Sequence, residues 1–167
     1  MRRASKQLEI NLAPSAEVLS SVLTEVVNWM SEFENPQWGF DVVSVDSLKA
    51  AYRPDEMFIA SLVGKPVGCI VLQSRDAVFW PNDKANTALY VHKLAVLKNA
   101  RGTGVADQMM AWAMARAKES GCQYLRLDCR TDRTGLVDYY AAKGFDKVAL
   151  KELQRGTFQL FQKSVNS

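Results

Sequence analysis

The sequence predicts a single α/β domain built around a mixed sheet, and three observations support this. The 167 residues are 48% apolar and 23% charged, which is typical of an ordinary globular domain with one sizeable core. A strand and two helices are followed by two strands and then by a β–α–β–α–β series, which is typical of a mixed sheet with helices on both faces. No internal repeat or linker interrupts this order, so we expect residues 1–167 to form one domain.

The first third of the chain contains one predicted strand and two predicted helices. Alternating apolar residues over 8–12 predict the strand, which ends before Pro14. Apolar residues at helical spacing over 15–33 predict a long helix with one broad apolar face. A shorter helix is predicted over 44–52, and Pro54 stops it.

A hairpin and a longer strand are predicted next. Strands over 57–63 and 67–72 are joined by the turn Gly64-Lys65-Pro66. A polar, irregular stretch over 73–86 then leads to a strand over 88–97.

The last third continues the alternation. A helix running to residue 120 is followed by a strand over 124–129 and a helix over 134–143, and strands over 145–151 and 157–163 close the chain. The total is seven strands and four helices.

Composition excludes several classes of function. The net charge is +3, and much of this excess comes from Arg2, Arg3 and Lys6, so no basic stripe favours nucleic acid. No apolar run reaches the roughly 20 residues of a membrane span. The basic N-terminus lacks the apolar segment of a secretory signal, so we expect a cytoplasmic protein.

The cysteines and the single histidine indicate neither a disulfide framework nor a metal site. Cys69, Cys122 and Cys129 form no CxxC pair, and His92 is the only histidine. We expect buried thiols and no metal. Cys129 also allows a second interpretation, a thiol nucleophile with His92 as its base.

The segment Arg101-Gly-Thr-Gly-Val-Ala106 lies between a predicted strand and a predicted helix. The free N–H groups and the dipole at a helix start attract anions, and glycines let a phosphate approach the backbone. No lysine follows Gly104, which excludes a P-loop, and Asp107 occupies the third position of a dinucleotide-binding glycine pattern. The segment therefore predicts a different phosphate-bearing ligand.

This segment, as Arg-x-x-Gly-x-Ala, resembles the pyrophosphate loop of the GNAT acyltransferase superfamily, which binds acetyl-coenzyme A. The segment Val91-His-Lys-Leu-Ala-Val96 is similar to the central strand of that family. The motif Tyr140-x-x-x-Gly-Phe145, which follows the strand over 124–129, is similar to the next part of the family pattern. The resemblance covers about positions 56–150 and implies a twisted, mostly antiparallel sheet of about seven strands.

The resemblance also implies which residues bind acetyl-CoA. The pyrophosphate would meet the backbone of Arg101, Gly102, Thr103, Gly104, Val105 and Ala106. The pantetheine arm would pair with main-chain atoms of Leu94, Ala95 and Val96, beside a bulge whose free N–H would stabilise the oxyanion.

Two residues are predicted to move protons. His92 shares a strand face with Tyr90 and Leu94, and imidazole, with a pKa near 6.5, suits a base at neutral pH. Arylalkylamine-type members of the family have a similar histidine, although a structural role for His92 stays open. Tyr140 matches the family tyrosine that protonates the coenzyme A sulfur, and Tyr139 is rotated about 100° from it around the helix.

These residues predict an N-acetyltransferase that moves the acetyl group of acetyl-CoA to a primary amine by direct attack in a ternary complex. Aromatic and acidic residues of the expected acceptor region suit a small cationic amine. They are Trp29, Phe33, Glu34, Trp38, Phe40, Asp76, Phe79 and Trp80. The alternatives are a protein or aminoacyl-tRNA amine as acceptor, or a non-catalytic acyl-CoA-binding module. Helix and strand faces of such folds often pair, which allows a homodimer.

Overall fold

A computed structural model describes residues 7–32 and 38–166 and contains seven strands and four α-helices in this part of the chain. In chain order they are β1 (Leu8–Leu12), α1 (Ala16–Met30), α2 (Val45–Ala51), β2 (Met57–Leu62), β3 (Lys65–Gln73), β4 (Ala88–Val96), α3 (Val105–Glu119), β5 (Tyr124–Arg130), α4 (Thr134–Ala142), β6 (Asp146–Leu153) and β7 (Gly156–Ser164). Three short 3-10 helices cover Phe40–Val43, Pro54–Glu56 and Lys98–Ala100. Phe33 and Glu34 lie outside the described residues.

The strands form one mixed sheet in the order β1-β2-β3-β4-β5-β7-β6. The pairs β1/β2, β2/β3, β5/β7 and β6/β7 are antiparallel. β4 and β5 are parallel, with Ala88–Tyr90 beside Tyr124–Arg126. The predicted mixed, mostly antiparallel sheet of seven strands is therefore confirmed.

By its internal contacts the described part of the chain divides into two compact units, and the first contains the described residues up to Leu72 together with Lys93–Ala111. Its α1 begins at Ser15, whose side-chain oxygen accepts a hydrogen bond from the Val18 N–H at 3.3 Å. The apolar stripe of α1 is buried against α2, β2 and β3 in one cluster that includes Leu19, Leu23, Leu48, Ile59 and Val71. The apolar face that the periodicity of α1 predicts therefore packs into the core of this unit.

The second unit contains Gln73–His92 and the residues from Trp112 onward. The rings of Phe79 and Phe158 pack at 5.1 Å between centroids, and Leu160 joins them. Phe161 is fully buried on β7. The one-domain organisation of the chain stays a prediction.

One turn differs from its prediction. The β2–β3 hairpin turns at Val63 and Gly64, which have φ of +50° and +74°, so Lys65 and Pro66 already belong to β3. Pro66 fits there because the register shifts by one residue after Ala60. In the described ranges no helix has both the length and the apolar character that crossing a bilayer requires.

Candidate functional site

The glycine loop lies at the surface of the first unit, directly before α3. Residues 101–104 are exposed, and the two glycines have φ of +74° and +85°. A β-carbon built on either glycine meets no atom within 4 Å. The Thr103 hydroxyl donates a hydrogen bond to the Ala100 carbonyl, and α3 begins at Val105. The loop therefore offers an open backbone and a helix start, which together fit a phosphate group.

The remaining predicted loop residues divide between ligand-facing and core positions. The Val105 side chain is buried, so only its backbone can contact a ligand, while Ala106 is half-buried. The Arg101 guanidinium carbon lies 4.8 Å from the centroid of the Trp29 ring, on α1. This cation–π contact holds the Arg101 charge beside the loop, and the sequence does not reveal it.

The backbone of β4 is irregular at Lys93, which has a φ of +50°. This left-handed conformation is uncommon for a residue other than glycine, and it occurs beside the segment for which a bulge is expected. The Lys93 carbonyl accepts a hydrogen bond from the Cys69 thiol at 3.4 Å. The predicted pantetheine segment follows: Leu94 and Val96 are half-buried and Ala95 is buried.

The Lys93 side chain reaches an aromatic pair of the same unit. Its ammonium donates a hydrogen bond to the Tyr52 hydroxyl at 3.3 Å. It also lies 5.5 Å from the centroid of the Trp38 ring and 5.8 Å from that of Tyr52. The cation–π contacts therefore place a half-buried positive charge next to the irregular backbone.

His92 belongs to the second unit, where two carboxylates surround it. Its Nε2 is 3.5 Å from Oδ2 of Asp76, and the two side chains are 17% and 5% exposed. One polar side-chain atom each of Asp76, His92 and Asp128 lies within 4.8 Å of the others. The three side chains come from the β3–β4 loop, β4 and β5, so the fold brings together residues far apart in sequence. These contacts describe an imidazole paired with acidic groups.

The loop that carries Asp76 is fastened to β5 by a buried arginine. Arg126 forms an ion pair with Asp83, and the Tyr90 hydroxyl donates a hydrogen bond to the same carboxylate. The Arg126 guanidinium carbon lies 4.0 Å from the centroid of the Trp80 ring. The pKa of Tyr90 is raised to about 12, mainly because the phenol is buried, so it stays a hydrogen-bond donor.

Tyr140 is buried among aromatic rings of the second unit. Its ring centroid is 5.4 Å from Tyr139, 5.9 Å from Phe145 and 5.7 Å from Phe161. Burial, followed by the proximity of Cys129, Tyr139 and Asp128, raises its pKa well above the usual range. Its hydroxyl therefore keeps its proton at neutral pH, which a proton donor requires. Tyr139 is only half-buried.

The three cysteines are free and buried. Burial raises the pKa of Cys69 and that of Cys129 to about 12, and at Cys129 the neighbouring Asp128 adds to the effect. Burial also raises the pKa of Cys122. Because only the thiolate is a good nucleophile, Cys129 does not fit the second interpretation, in which it attacks the thioester.

The residues expected to line the acceptor region lie in both units. Trp29 and Trp38 pack against the core of the first unit, where Phe40 is half exposed. Asp76, Phe79 and Trp80 belong to the second unit, where Asp76 and Phe79 are buried.

Sequence reasoning missed the partners of His92. The irregular stretch over 73–86 gave no signal of secondary structure, so Asp76 was grouped with the acceptor residues and its contact with His92 was not foreseen. A signal for Asp128 did exist. Arg126 pairs with Tyr90 across the parallel strands, so alternation places Asp128 on the same face of β5 as Arg126, as it places His92 on the same face of β4 as Tyr90.

Comparisons with known proteins agree with this geometry. The sequence pattern of the acetyltransferase (GNAT) family matches residues 23–145. The uncharacterized N-acetyltransferase YesJ of Bacillus subtilis is 23% identical over 167 residues, which cover 91% of this chain and 86% of the relative. The N-alpha-acetyltransferase MAK3 of Arabidopsis thaliana is 30% identical over 92 residues, which cover 55% of this chain and 45% of that protein.

A solved structure supports the fold. The crystal structure of a GNAT-family acetyltransferase from Listeria monocytogenes aligns with a TM-score of 0.77 at 22% identity, and the alignment covers 94% of each chain. At this identity the likeness establishes the fold alone.

Proposed function

Since this chain belongs to the acetyltransferase (GNAT) family, we propose that it acetylates the primary amine of a small, cationic molecule. Family membership makes it an acetyl-CoA-dependent N-acetyltransferase. The choice of acceptor rests on one observation, the pair of carboxylates, Asp76 and Asp128, beside His92. A primary amine is an ammonium ion at neutral pH, and acidic groups attract it before it loses its proton.

Acetyl-CoA would be held mainly by main-chain atoms. The open backbone of residues 101–104 and the first N–H groups of α3 would bind the pyrophosphate, and Arg101 would add a positive charge at the edge. Leu94, Ala95 and Val96 would pair with the pantetheine arm as an additional strand would. The irregular backbone at Lys93 supports an N–H near Leu94 as the donor to the developing oxyanion.

Two side chains would move the protons. His92 would take a proton from the bound ammonium group, directly or through water, and the free amine would then attack the thioester carbon. Tyr140 would give its proton to the sulfur that leaves as the tetrahedral intermediate collapses, and the second proton that the nitrogen loses in this step would restore the phenol, directly or through water. The phenol of Tyr140 is protonated when the thiolate forms, as this role requires, although its raised pKa also makes it a weaker acid.

A protein N-terminus is the second candidate acceptor, and the similarity to an N-alpha-acetyltransferase favours it. An aminoacyl-tRNA acceptor has no comparable support, since the net charge is only +3. A non-catalytic acyl-CoA-binding module would not require both His92 and Tyr140.

Release of free coenzyme A tests these candidates. The purified chain is incubated with acetyl-CoA and three panels of acceptors: small primary amines, peptides with free N-termini, and charged tRNA. We expect the highest kcat/KM with a small amine that has an apolar body. Faster turnover of peptides would favour a protein acceptor. If none of the acceptors causes release of coenzyme A, the catalytic assignment is wrong.

The role of His92 has its own test. With two acceptors of different basicity, kcat/KM should show an acidic limb between about pH 6 and 8 that is the same for both, and His92→Ala should remove it. A limb that follows the basicity of the acceptor would leave His92 with a structural role only.

A further inference from the structure

On the basis of the function proposed above, we propose that Asp76 is a positioning residue for His92: its carboxylate orients the imidazole and stabilises the proton that His92 takes from the amine. Asp76 is buried and His92 is half-buried. A carboxylate beside a histidine fixes its ring orientation and favours the protonated ring, as in other Asp–His pairs.

The orientation of the Asp76 carboxylate is set by its own backbone. Its Oδ1 accepts hydrogen bonds from the N–H groups of Val78 and Phe79, both at 3.1 Å. Its carbonyl oxygen accepts another from the Trp80 N–H at 2.9 Å. Because one carboxylate oxygen closes this turn, the other, Oδ2, is directed at His92.

The turn that begins at Asp76 is held against the strands of the same unit. The Phe79 ring packs on Phe158 of β7, and the Lys151 ammonium of β6 donates a hydrogen bond to the Val78 carbonyl at 2.5 Å. At the other end of the loop, Asp83 is paired with Arg126 of β5. A carboxylate on a loop held at both ends can keep an imidazole in one orientation.

The charges around His92 favour its protonated form. Asp76 faces it from the loop and Asp128 from β5. Arg126, on β5, carries the nearby positive charge, and Asp83 balances it. Tyr90, on the same face of β4, is neutral because its pKa is raised. The two carboxylates closest to the imidazole therefore both favour its protonated form.

His92 is the only histidine of the chain, so one NMR resonance reports its titration directly. The protein is prepared without a histidine tag and titrated in the presence of a chelator. Replacing Asp76 with Asn keeps an oxygen for the two backbone N–H groups and removes the charge. We expect the midpoint of the His92 titration to fall by roughly one to three pH units, and the acidic limb of kcat/KM to move by the same amount.

Three further variants make the test specific. Asp76→Ser is a second uncharged replacement that can cap the same turn, in case Asp76→Asn does not fold. Asp76→Glu restores the charge and should recover part of the shift. Asp146→Asn removes a negative charge from an exposed position of β6 and should leave the midpoint unchanged.

Two results would overturn the positioning role. In the first, Asp76→Asn moves the midpoint no more than Asp146→Asn does. In the second, the midpoint moves but the kcat/KM limb does not follow, so the tuned imidazole takes no part in catalysis. The titration uses the free enzyme and needs no acceptor, so its failure is distinct from failure of the acetyl-transfer assay.

Discussion

A single methyl group added at Gly68 should destabilise the first unit. Gly68 is buried on β3, and a β-carbon there would lie 2.6 Å from the carbonyl oxygen of Ala95 and 3.0 Å from the Met109 terminal methyl group. The methionine end can move aside, but the carbonyl belongs to the backbone of β4 and can yield only if the strand shifts. Gly68 thus permits the close approach of β3 and β4.

The expected cost follows from that clash. Overpacking of a well-packed interior costs about 1–3 kcal/mol, which for a chain of this length corresponds to a fall in Tm of roughly 2–12 °C. Urea unfolding followed by far-ultraviolet circular dichroism measures the free energy of unfolding of Gly68→Ala. Since Ala95 belongs to the predicted pantetheine segment, the rise in Tm that acetyl-CoA produces should also be smaller in this variant.

Gly135→Ala is the matched control. A β-carbon at Gly135 meets no atom within 4 Å, and the residue lies in α4. Alanine favours a helix over glycine by up to about 1 kcal/mol, so this variant should be as stable as the wild type or slightly more so. If the free energy of unfolding of Gly68→Ala lies within about 0.5 kcal/mol of the wild-type value, as for a neutral surface change, then β3 and β4 do not approach as closely as described.

Three further predictions concern the loop, the acid and the thiols. Gly104→Asp should abolish the rise in Tm given by acetyl-CoA, because it places a negative side chain at the anion-binding backbone. Gly121→Asp, at another left-handed glycine with open space, should retain it; a normal rise in both would remove the loop assignment. Tyr140→Phe should lower kcat about 10²-fold or more with little change in acetyl-CoA affinity, whereas a loss at Tyr139→Phe instead would assign the acid to that ring. Native protein should react with Ellman's reagent far more slowly than urea-unfolded protein, because burial raises the pKa of thiols such as Cys129 to about 12; rapid reaction of the folded chain would contradict that burial.

Most of the fold could be predicted because it is encoded locally. The apolar stripe of α1, the alternation in β1 and the glycines before α3 each specify their element through a few neighbouring residues. The β2–β3 turn was misplaced by about two residues, because Lys65 and Pro66 resemble turn residues. Their strand pairing depends on a register shift after Ala60 that only the partner strand determines.

The candidate site could be predicted only where its chemistry lies in a short segment. The glycine loop is contiguous, so its open backbone follows from sequence. The pairing of His92 with Asp76 depends on a loop whose path is fixed by distant residues such as Arg126, and no local pattern encodes that path. Nor does the residue type of Lys93 indicate a left-handed backbone.

The combination of backbone and side-chain demands at Lys93 limits how this position can vary in evolution. Glycine would relieve the left-handed backbone but would remove the cation that lies against Tyr52 and Trp38. Asparagine tolerates the backbone and is too short to reach the rings, and β-branched residues fit neither requirement. A long basic side chain at position 93 should therefore occur together with aromatic residues at positions 38 and 52 in natural variants. Where that aromatic pair is lost, glycine should become the favoured residue at position 93.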